Sequence, residues 1–536
     1  MVLTAARLVC ADKGLEQLVH VWEAMNDCLD HSRAWSLERA AARGHKFLVQ
    51  HLALAVPQQS AAENALVMDF AARNGHLEIL QWLHATERLS GCSTRSMDDA
   101  AKNGHLAIVQ WLHEHRSEGC TTKAMDYAAK HGHLDVVQWL HAHRAEGCTA
   151  KAMDLSAQNG FLDVLVWLDA HRSEGCSAAA VSKAVAAGHL AVVRWLCEHR
   201  KMECTPAAMV NAARNGHVHV LEYLGVHFPA LFESVGAKMV HAATAKGHLA
   251  VLNWLVAALP MKALKCEEAN GSWMDVAAEY GQVRILRWFH EHATALPMGA
   301  DGRLPRCTDD AVEKAAGNGH RAALEYLHAH ELVRLADESS ALRALVAAVH
   351  GGHRECVEWL VARCGALFEA RGASTAAMDA AAGANRVDLL QLLLDGRATA
   401  SWRASARAVD EAAGKGHLAV LVWLAANEGA LARRSSSNGG EPVEPPASIW
   451  TPLALDLAAT NGHLAVVQWL TAHHARECLT LDAFNAAAYM DHLEVVRFLY
   501  AHARASCSLA QALEHAEEGG AEDTLLWLQA LGGGGV

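Results

Sequence analysis

Histidine, cysteine, aspartate and tryptophan are concentrated in short segments that could form a metal or catalytic site. Residues 132–148 read GHLDVVQWLHAHRAEGC, which places His133, His141 and His143 ahead of Cys148. Imidazole and thiolate groups are common zinc ligands, and a cysteine activated by a histidine can act as a nucleophile. How often the chain repeats this pattern decides whether it is a site or a structural unit.

The pattern recurs along almost the entire chain, about every 28–34 residues. A Gly-His pair begins at Gly44, Gly75, Gly104, Gly132, Gly188, Gly216, Gly247, Gly319, Gly352, Gly416 and Gly462. Variant pairs begin at Gly160, Gly281, Asn385, Asp491 and Gly520. Seven positions after most of these anchors stands Trp, Tyr or Phe, with His51 and Leu392 as exceptions. A single reaction does not need so many copies, so the pattern indicates a repeated structural unit.

Each unit is predicted to form two short helices. In one copy Thr121 is a helix N-cap, and Met125, Ala128 and Ala129 form one apolar stripe that ends at Gly132. Comparable N-caps are Ser36, Ser93, Ser177, Thr205, Thr308 and Ser508. The second helix starts at Leu134, and its apolar residues cover more than half of its circumference. Only stacked neighbours on both sides can cover that surface.

These residues resemble the ankyrin repeat. The pairs Ala128-Ala129, Gly132-His133 and Val136-Val137 fall in the register of that family, and the resemblance covers about residues 36–531. Asp126 stands where the family has a histidine, and Trp139 replaces a leucine. The resemblance implies an all-α fold, an ankyrin-like α-solenoid of about 16–17 helix-turn-helix repeats, without long β-fingers.

The units and their interruptions predict the organisation of the chain. Residues 1–35 form a degenerate N-terminal capping repeat, 36–291 and 307–429 are ankyrin-like repeats, and 450–531 are C-terminal repeats. Residues 292–306 are a loop insertion, residues 430–449 are a flexible loop rich in Ser, Gly and Pro, and residues 532–536 form a disordered tail.

No metal site, cofactor site or catalytic residue is predicted. Pairs such as His141 and His143 point to different sides of a helix, and neither His-Glu-x-x-His nor Cys-x-x-Cys occurs. The anchor histidines, such as His133, are expected to hydrogen-bond backbone at the inter-helix turn. One cysteine slot recurs at Cys92, Cys120, Cys148, Cys176, Cys204, Cys307, Cys478 and Cys507. This slot is interpreted as a position for a small apolar residue buried between units, and its cysteines are interpreted as reduced thiols and not disulfides.

Two further series have a structural and a functional interpretation. Aspartate recurs at 69, 98, 126, 154, 275, 379, 410 and 456. The pairs Asp69–Arg73, Asp98–Lys102 and Asp126–Lys130 are expected to be ion pairs on the exposed side of the first helix, with an acidic surface for a basic partner as the alternative. The tryptophan series lies in the apolar arc of the second helix, so core packing is favoured over a base-stacking surface.

Composition limits the function. A net charge of −13 argues against nucleic acid as a partner, and no apolar run is long enough for a membrane span. The N-terminal residues predict no secretion signal, so a cytoplasmic, monomeric protein is expected. The resemblance implies a non-enzymatic protein–protein interaction scaffold that presents a concave ankyrin-repeat surface. The alternative is a substrate-recruiting adaptor subunit of a ubiquitin-ligase-type complex, which would need residues 1–35 as a docking module.

The contact residues are expected where the first helix varies between units while its framework is constant. These protein-binding candidates are Phe70, Asp99, Tyr127, Leu155, Lys183 and Asn211.

Overall fold

The structure is a computed structural model that describes most of the predicted repeats. The described residues are 35–55, 61–86, 91–260, 272–292, 307–333, 338–364, 368, 373–395, 402–432, 448–504 and 507–532. The chain divides into two compact units, Met1–Val235 and Gly236–Val536. Every regular element in the described residues is a helix, as predicted.

The first unit contains seven helix pairs in its described residues, each with one member on either side of an anchor turn. Its first helices are α1 (Leu37–Ala42), α3 (Ala61–Arg73), α5 (Thr94–Lys102), α7 (Thr122–His131), α9 (Ala150–Asn159), α11 (Ala179–Ala187) and α13 (Pro206–Arg214). Its second helices are α2 (Lys46–Ala55), α4 (Leu77–Ala85), α6 (Leu106–His115), α8 (Leu134–His143), α10 (Leu162–His171), α12 (Leu190–His199) and α14 (Val218–His227). The short helix α15 (Pro229–Ser234) follows α14.

The second unit contains nine such pairs in its described residues. Its first helices are α16 (Gly236–Lys246), α18 (Trp273–Glu279), α20 (Asp309–Gly317), α22 (Glu338–Gly351), α24 (Ala373–Gly383), α26 (Ala406–Gly414), α28 (Pro452–Thr460), α31 (Leu481–Tyr489) and α33 (Leu509–Gly519). Its second helices are α17 (Leu249–Ala258), α19 (Val283–Glu291), α21 (Arg321–Ala329), α23 (Arg354–Cys364), α25 (Val387–Asp395), α27 (Leu418–Ala432), α29 (Leu464–His473), α32 (Leu493–His502) and α34 (Glu522–Gly532). The one-turn helix α30 (Ala475–Cys478) follows α29.

Local signals in each unit account for these helices. The Thr121 hydroxyl accepts a 3.2 Å hydrogen bond from the Lys123 amide at the start of α7. Gly132 ends α7 with φ +80°, and Asn385 and Asp491 take the same left-handed conformation at their anchors, at φ +57° and +60°. The predicted caps Thr308 and Ser508 differ, because neither side chain accepts a cap hydrogen bond.

The core of each repeat lies between its two helices and its neighbours. Ala128 and Ala129 on α7 and Val136 and Val137 on α8 have no exposed surface. Successive first helices pack closely along each unit, because alanine at these positions leaves room for a near approach. The predicted all-α solenoid of stacked helix pairs is therefore confirmed within each unit.

Several organisational predictions lie outside the described residues. They concern the capping repeat (1–34), the insertion (293–306), the flexible loop (433–447) and the tail (533–536), and they stay predictions. Among the described helices, none is long and apolar enough to cross a membrane.

Candidate interaction surface

The six residues predicted to contact a partner occupy one position on successive first helices. Phe70, Asp99, Tyr127, Leu155, Lys183 and Asn211 lie on α3, α5, α7, α9, α11 and α13, and each is half-buried. The residues directly before and after Tyr127, Asp126 and Ala128, are buried, so Tyr127 lies on the solvent side of α7. Because these first helices pack in sequence, the structure brings the six positions into one row. Their contact with a partner stays a prediction.

Asp69, Asp98 and Asp126 are buried, so the prediction that they form exposed ion pairs within their own helices is wrong. Asp126 is only 4% exposed and accepts two hydrogen bonds from Thr149 of the next repeat. The Thr149 amide donates to Oδ1 at 2.8 Å, and the Thr149 hydroxyl donates to Oδ2 at 2.7 Å. Thr149 Oγ1 in turn accepts the Lys151 amide at 3.2 Å. The carboxylate of one repeat therefore anchors the helix cap of the next.

We call this contact the Asp–cap link. It joins Asp69 to Ser93, Asp98 to Thr121, Asp126 to Thr149, Asp154 to Ser177, Asp275 to Thr308, Asp379 to Ser405, Asp410 to Thr451 and Asp456 to Thr480. Burial raises the pKa of the Asp126 carboxyl, and the Thr149 hydrogen bonds partly offset that rise. Five of these carboxylates, on Asp69, Asp98, Asp126, Asp154 and Asp275, are buried inside the stack, where a basic partner cannot reach them, and the other three are half-buried.

The anchor histidines also act between repeats. His76 Nε2 donates to the Ala42 carbonyl of the preceding repeat at 3.2 Å, and His217 Nε2 donates to the Ala186 carbonyl at 3.1 Å. The predicted backbone hydrogen bond is therefore present, but its acceptor belongs to the previous turn. The same ring covers the previous anchor glycine, since a Cβ on Gly44 would lie 2.5 Å from His76 Cε1. Glycine and histidine thus fit together across the repeat boundary.

The tryptophan series forms part of an aromatic row on the second helices. The Trp139 ring stacks on His143 with 4.5 Å between centroids, and His113 of the preceding repeat meets its edge at 5.3 Å. His143 Nδ1 donates to the Trp139 carbonyl at 2.9 Å, while His141 contacts Trp167 of the next repeat. Each histidine of the pair therefore has its own structural partner.

Core packing was predicted for these tryptophans, and the prediction is wrong for most of them. Trp288 and Trp359 are buried. The half-buried members are Trp82, Trp111, Trp139, Trp167, Trp195, Trp254, Trp423, Trp469 and Trp527. An indole can bury its body against a neighbouring helix while its outer edge stays in water.

The cysteines of the recurring slot are free thiols in inter-repeat packing. Cys120 and Cys148 are buried, and burial raises the pKa of Cys120 to about 12 and that of Cys148 to about 11. Thiols with such pKa values stay protonated and are poor nucleophiles at neutral pH. In the part of the chain that the structure describes, no three His, Cys, Asp or Glu side chains are grouped to hold a metal ion.

Alkylation should detect this protonation. At about pH 8 we expect iodoacetamide to modify Cys120 and Cys148 at least about a hundredfold more slowly in the folded protein than in urea, where thiols regain their ordinary pKa. Mass spectrometry of peptides after timed alkylation measures both rates, and the urea sample is the control. Equal rates in the folded and unfolded protein would contradict the assigned burial.

Comparisons with known proteins agree with the repeat. The family model for ankyrin repeats (many copies) matches residues 97–141 and 125–168. The matches together span residues 97–168, and the helix pairs on both sides share the two-helix architecture of this segment. No curated protein matches the chain.

Among solved structures, the chain is similar to the crystal structure of the pentatricopeptide repeat protein PPR10 from maize. The two are 10% identical, the match covers 92% of this chain and 88% of that chain, and the TM-score is 0.26.

Proposed function

We propose that the chain is a non-enzymatic protein–protein interaction scaffold that presents a concave ankyrin-repeat surface, as a monomer in the cytoplasm. The observation that carries the proposal is a division between recurring side chains that contact a neighbouring repeat and variable side chains that lie on the surface. The recurring Asp126, His133 and Trp139 each have a partner in a neighbouring repeat. The row through Tyr127 and Leu155 instead changes chemistry at every repeat while it keeps one place on the surface.

The packing of the first helices supports the choice of face. In the first unit, neighbouring first helices approach each other more closely than neighbouring second helices do. A stack that is tighter on one side curves towards that side, which favours an inner position for the row of Tyr127 in this unit. An inner surface can contact a partner with several repeats at once, which favours binding.

The same observations support a role without catalysis. The side chains that could react are the recurring cysteines, aspartates and histidines. The thiol of Cys120 is protonated, Asp126 is bound to Thr149, and burial lowers the pKa of the His133 ring, which hydrogen-bonds the Lys102 carbonyl. The free thiols also support a reducing compartment such as the cytoplasm. The adaptor alternative depends on residues 1–35 and gains no support from the described residues.

Photo-crosslinking tests the proposed face. With benzoylphenylalanine at Tyr127 or Leu155, we expect irradiation of intact cells to give discrete protein adducts, several-fold more than with the same group at Gln138 or Val166. Gln138 and Val166 are exposed on the second helices α8 and α10, so they report non-specific collisions. Gel shifts and mass spectrometry of the adducts provide the measurement. The proposal fails if the adducts form equally at the two helix faces.

A further inference from the structure

Positively charged side chains border the row of candidate contact residues in the first unit. Because a helix turns 100° per residue, residues four before and three after Tyr127 lie on its side of α7. These residues are Lys123 and Lys130. Both positions are also basic beside Asp99 (Arg95 and Lys102), and one of the two is basic beside Phe70 (Arg73) and beside Leu155 (Lys151). We define the basic face as Arg73, Arg95, Lys102, Lys123, Lys130 and Lys151.

These cations are available to a ligand. Arg73, Arg95, Lys123 and Lys151 are exposed, and the other two are half-buried. Within the described residues, none of the six makes an ion pair, although Lys102 Nζ lies 5.7 Å from the centre of the Tyr127 ring. Asp98 and Asp126 lie beneath this surface, buried and bound to the caps of the next repeats, and the half-buried Asp99 is the one acidic member of the row. The outermost charges of the face are therefore mostly positive.

The opposite side of the same repeats carries negative charge. Glu78, Glu114, Asp135 and Asp163 are exposed on the second helices of these repeats, and Glu78 forms a 3.0 Å ion pair with Lys46. The net charge of −13 therefore conceals a separation of charge between the two helix faces. Such a separation steers an acidic ligand towards the first helices and away from the second helices.

The residues between the cations favour a polypeptide over a nucleic acid. Phe70, Tyr127 and Leu155 place apolar surface beside the basic positions, where a peptide can add apolar side chains between acidic ones. Lys102 lies over the Tyr127 ring, the place where a nucleic-acid base would stack. The acidic second-helix face would also repel a long polyanion.

The spacing of the helices indicates the form of that peptide. Packed helices lie about 8–10 Å apart, and an extended chain advances about 3.3 Å per residue. An extended peptide with an acidic residue at about every third position would therefore place one acidic side chain at each repeat. We propose that the basic face binds an extended segment of a partner protein that carries acidic residues at this spacing with apolar residues between them. This inference rests on the proposed scaffold function and adds the chemistry of the partner.

Binding of a designed peptide tests the inference on the full chain. The probe is a fluorescein-labelled peptide of about five Glu-Leu-Ser repeats, matched by a Lys-Leu-Ser peptide and a labelled oligothymidine. We expect fluorescence anisotropy to show binding of the Glu-Leu-Ser peptide that weakens as salt rises from about 50 to 300 mM, and at least about tenfold weaker binding of the other two. Tighter binding of oligothymidine would overturn the choice of a polypeptide.

Charge reversal locates the binding site. The variant Lys102→Glu/Lys130→Glu should bind the Glu-Leu-Ser peptide at least about tenfold more weakly, and Lys102→Gln/Lys130→Gln should fall between this variant and the wild type. The matched control Arg284→Glu/Arg476→Glu reverses two exposed cations of the second unit and should change binding less than about twofold. Thermal unfolding followed by circular dichroism verifies that each variant is folded. Equal loss in the two Glu variants would overturn the site.

The outcomes separate this inference from the scaffold proposal. Protein adducts at Tyr127, combined with no preference for the acidic peptide, would refute the partner chemistry and leave the scaffold function standing. Absence of both adducts and peptide binding would refute both proposals.

Discussion

Replacing Asp126 by alanine is expected to lower the free energy of unfolding of the first unit by about 2–4 kcal/mol. The substitution removes the acceptor of both Thr149 hydrogen bonds, and it leaves that amide and hydroxyl partly buried without their partner. It also loosens the cap of α9, since Thr149 is the residue that accepts the Lys151 amide. Urea titration gives the free energy, and hydrogen exchange of peptides from α7 to α9 shows whether the loss is local.

The neighbouring Asp99 supplies the control for this prediction. It is a half-buried aspartate on α5 without a hydrogen bond from its side chain to another described residue, so Asp99→Ala should cost about 0.5 kcal/mol or less. Thr149→Val combined with Asp126→Ala completes a double-mutant cycle with an expected coupling of about 1 kcal/mol or more. Equal costs for the two alanine variants, or no coupling with Thr149, would show that the Asp–cap link contributes little.

The pH dependence of the same link has a definite sign. The folded pKa of Asp126 lies above its ordinary value of 3.8, because burial penalises the carboxylate. The folded chain then binds this proton more tightly than the unfolded chain does. The stability gained from protonation is fully present below pH 3.8 and is lost as pH rises through the raised folded pKa. Relative to Asp126→Asn, the wild type should therefore gain stability as pH falls, and a relative loss would contradict the raised pKa.

The helix pairs could be predicted from sequence because their signals lie inside one repeat. Thr121 caps α7, Ala128 and Ala129 form its packing stripe, and Gly132 ends it, all within a dozen residues. Short-range periodicity and capping chemistry are sufficient for such elements. Stacking of the pairs could also be predicted, because each second helix is too apolar to be covered by one neighbour.

The Asp–cap link could not be predicted from helical spacing. Asp126 and Lys130 are four residues apart, which suggests an ion pair, whereas the actual partner Thr149 is 23 residues away. The sequence does contain a signal for the link, because the aspartate position of one repeat and the cap position of the next repeat recur together. Where serine replaces the aspartate, at Ser182, its hydroxyl lies 3.2 Å from that of Thr205.

The tryptophans show a second limit of sequence reasoning. Hydrophobicity places Trp139 in the apolar arc of α8, but burial depends on how closely the next second helix approaches. The second helices contact each other less than the first helices do, so Trp139 stays half-buried and meets His113 and His143 instead. The residues that recur in every repeat reflect only contacts within the chain. They therefore do not identify a partner for the row of Phe70 and Tyr127.

Replacing Gly104 by alanine is expected to destabilise the first unit by about 2–4 kcal/mol, for two separate reasons. Gly104 has φ +76°, where an alanine costs about 1–2 kcal/mol. A Cβ there would also lie 2.6 Å from Cε1 of His133 in the next repeat. The ring must then move, and this displacement strains its hydrogen bond to the Lys102 carbonyl. Urea titration of the full chain measures the total loss.

Two further variants divide that loss between the backbone and the contact. Gly175 has φ +67° with nothing within 4 Å of a built Cβ, so Gly175→Ala should cost only the conformational part, about 1–2 kcal/mol. In the background of His133→Ala, the clash is absent, and Gly104→Ala should then cost about as much as Gly175→Ala. If the cost of Gly104→Ala is unchanged in that background, the histidine ring is not what excludes a side chain. The Gly-His pair would then reflect only the backbone turn. The predicted coupling means instead that each glycine leaves space for the histidine ring of the following repeat.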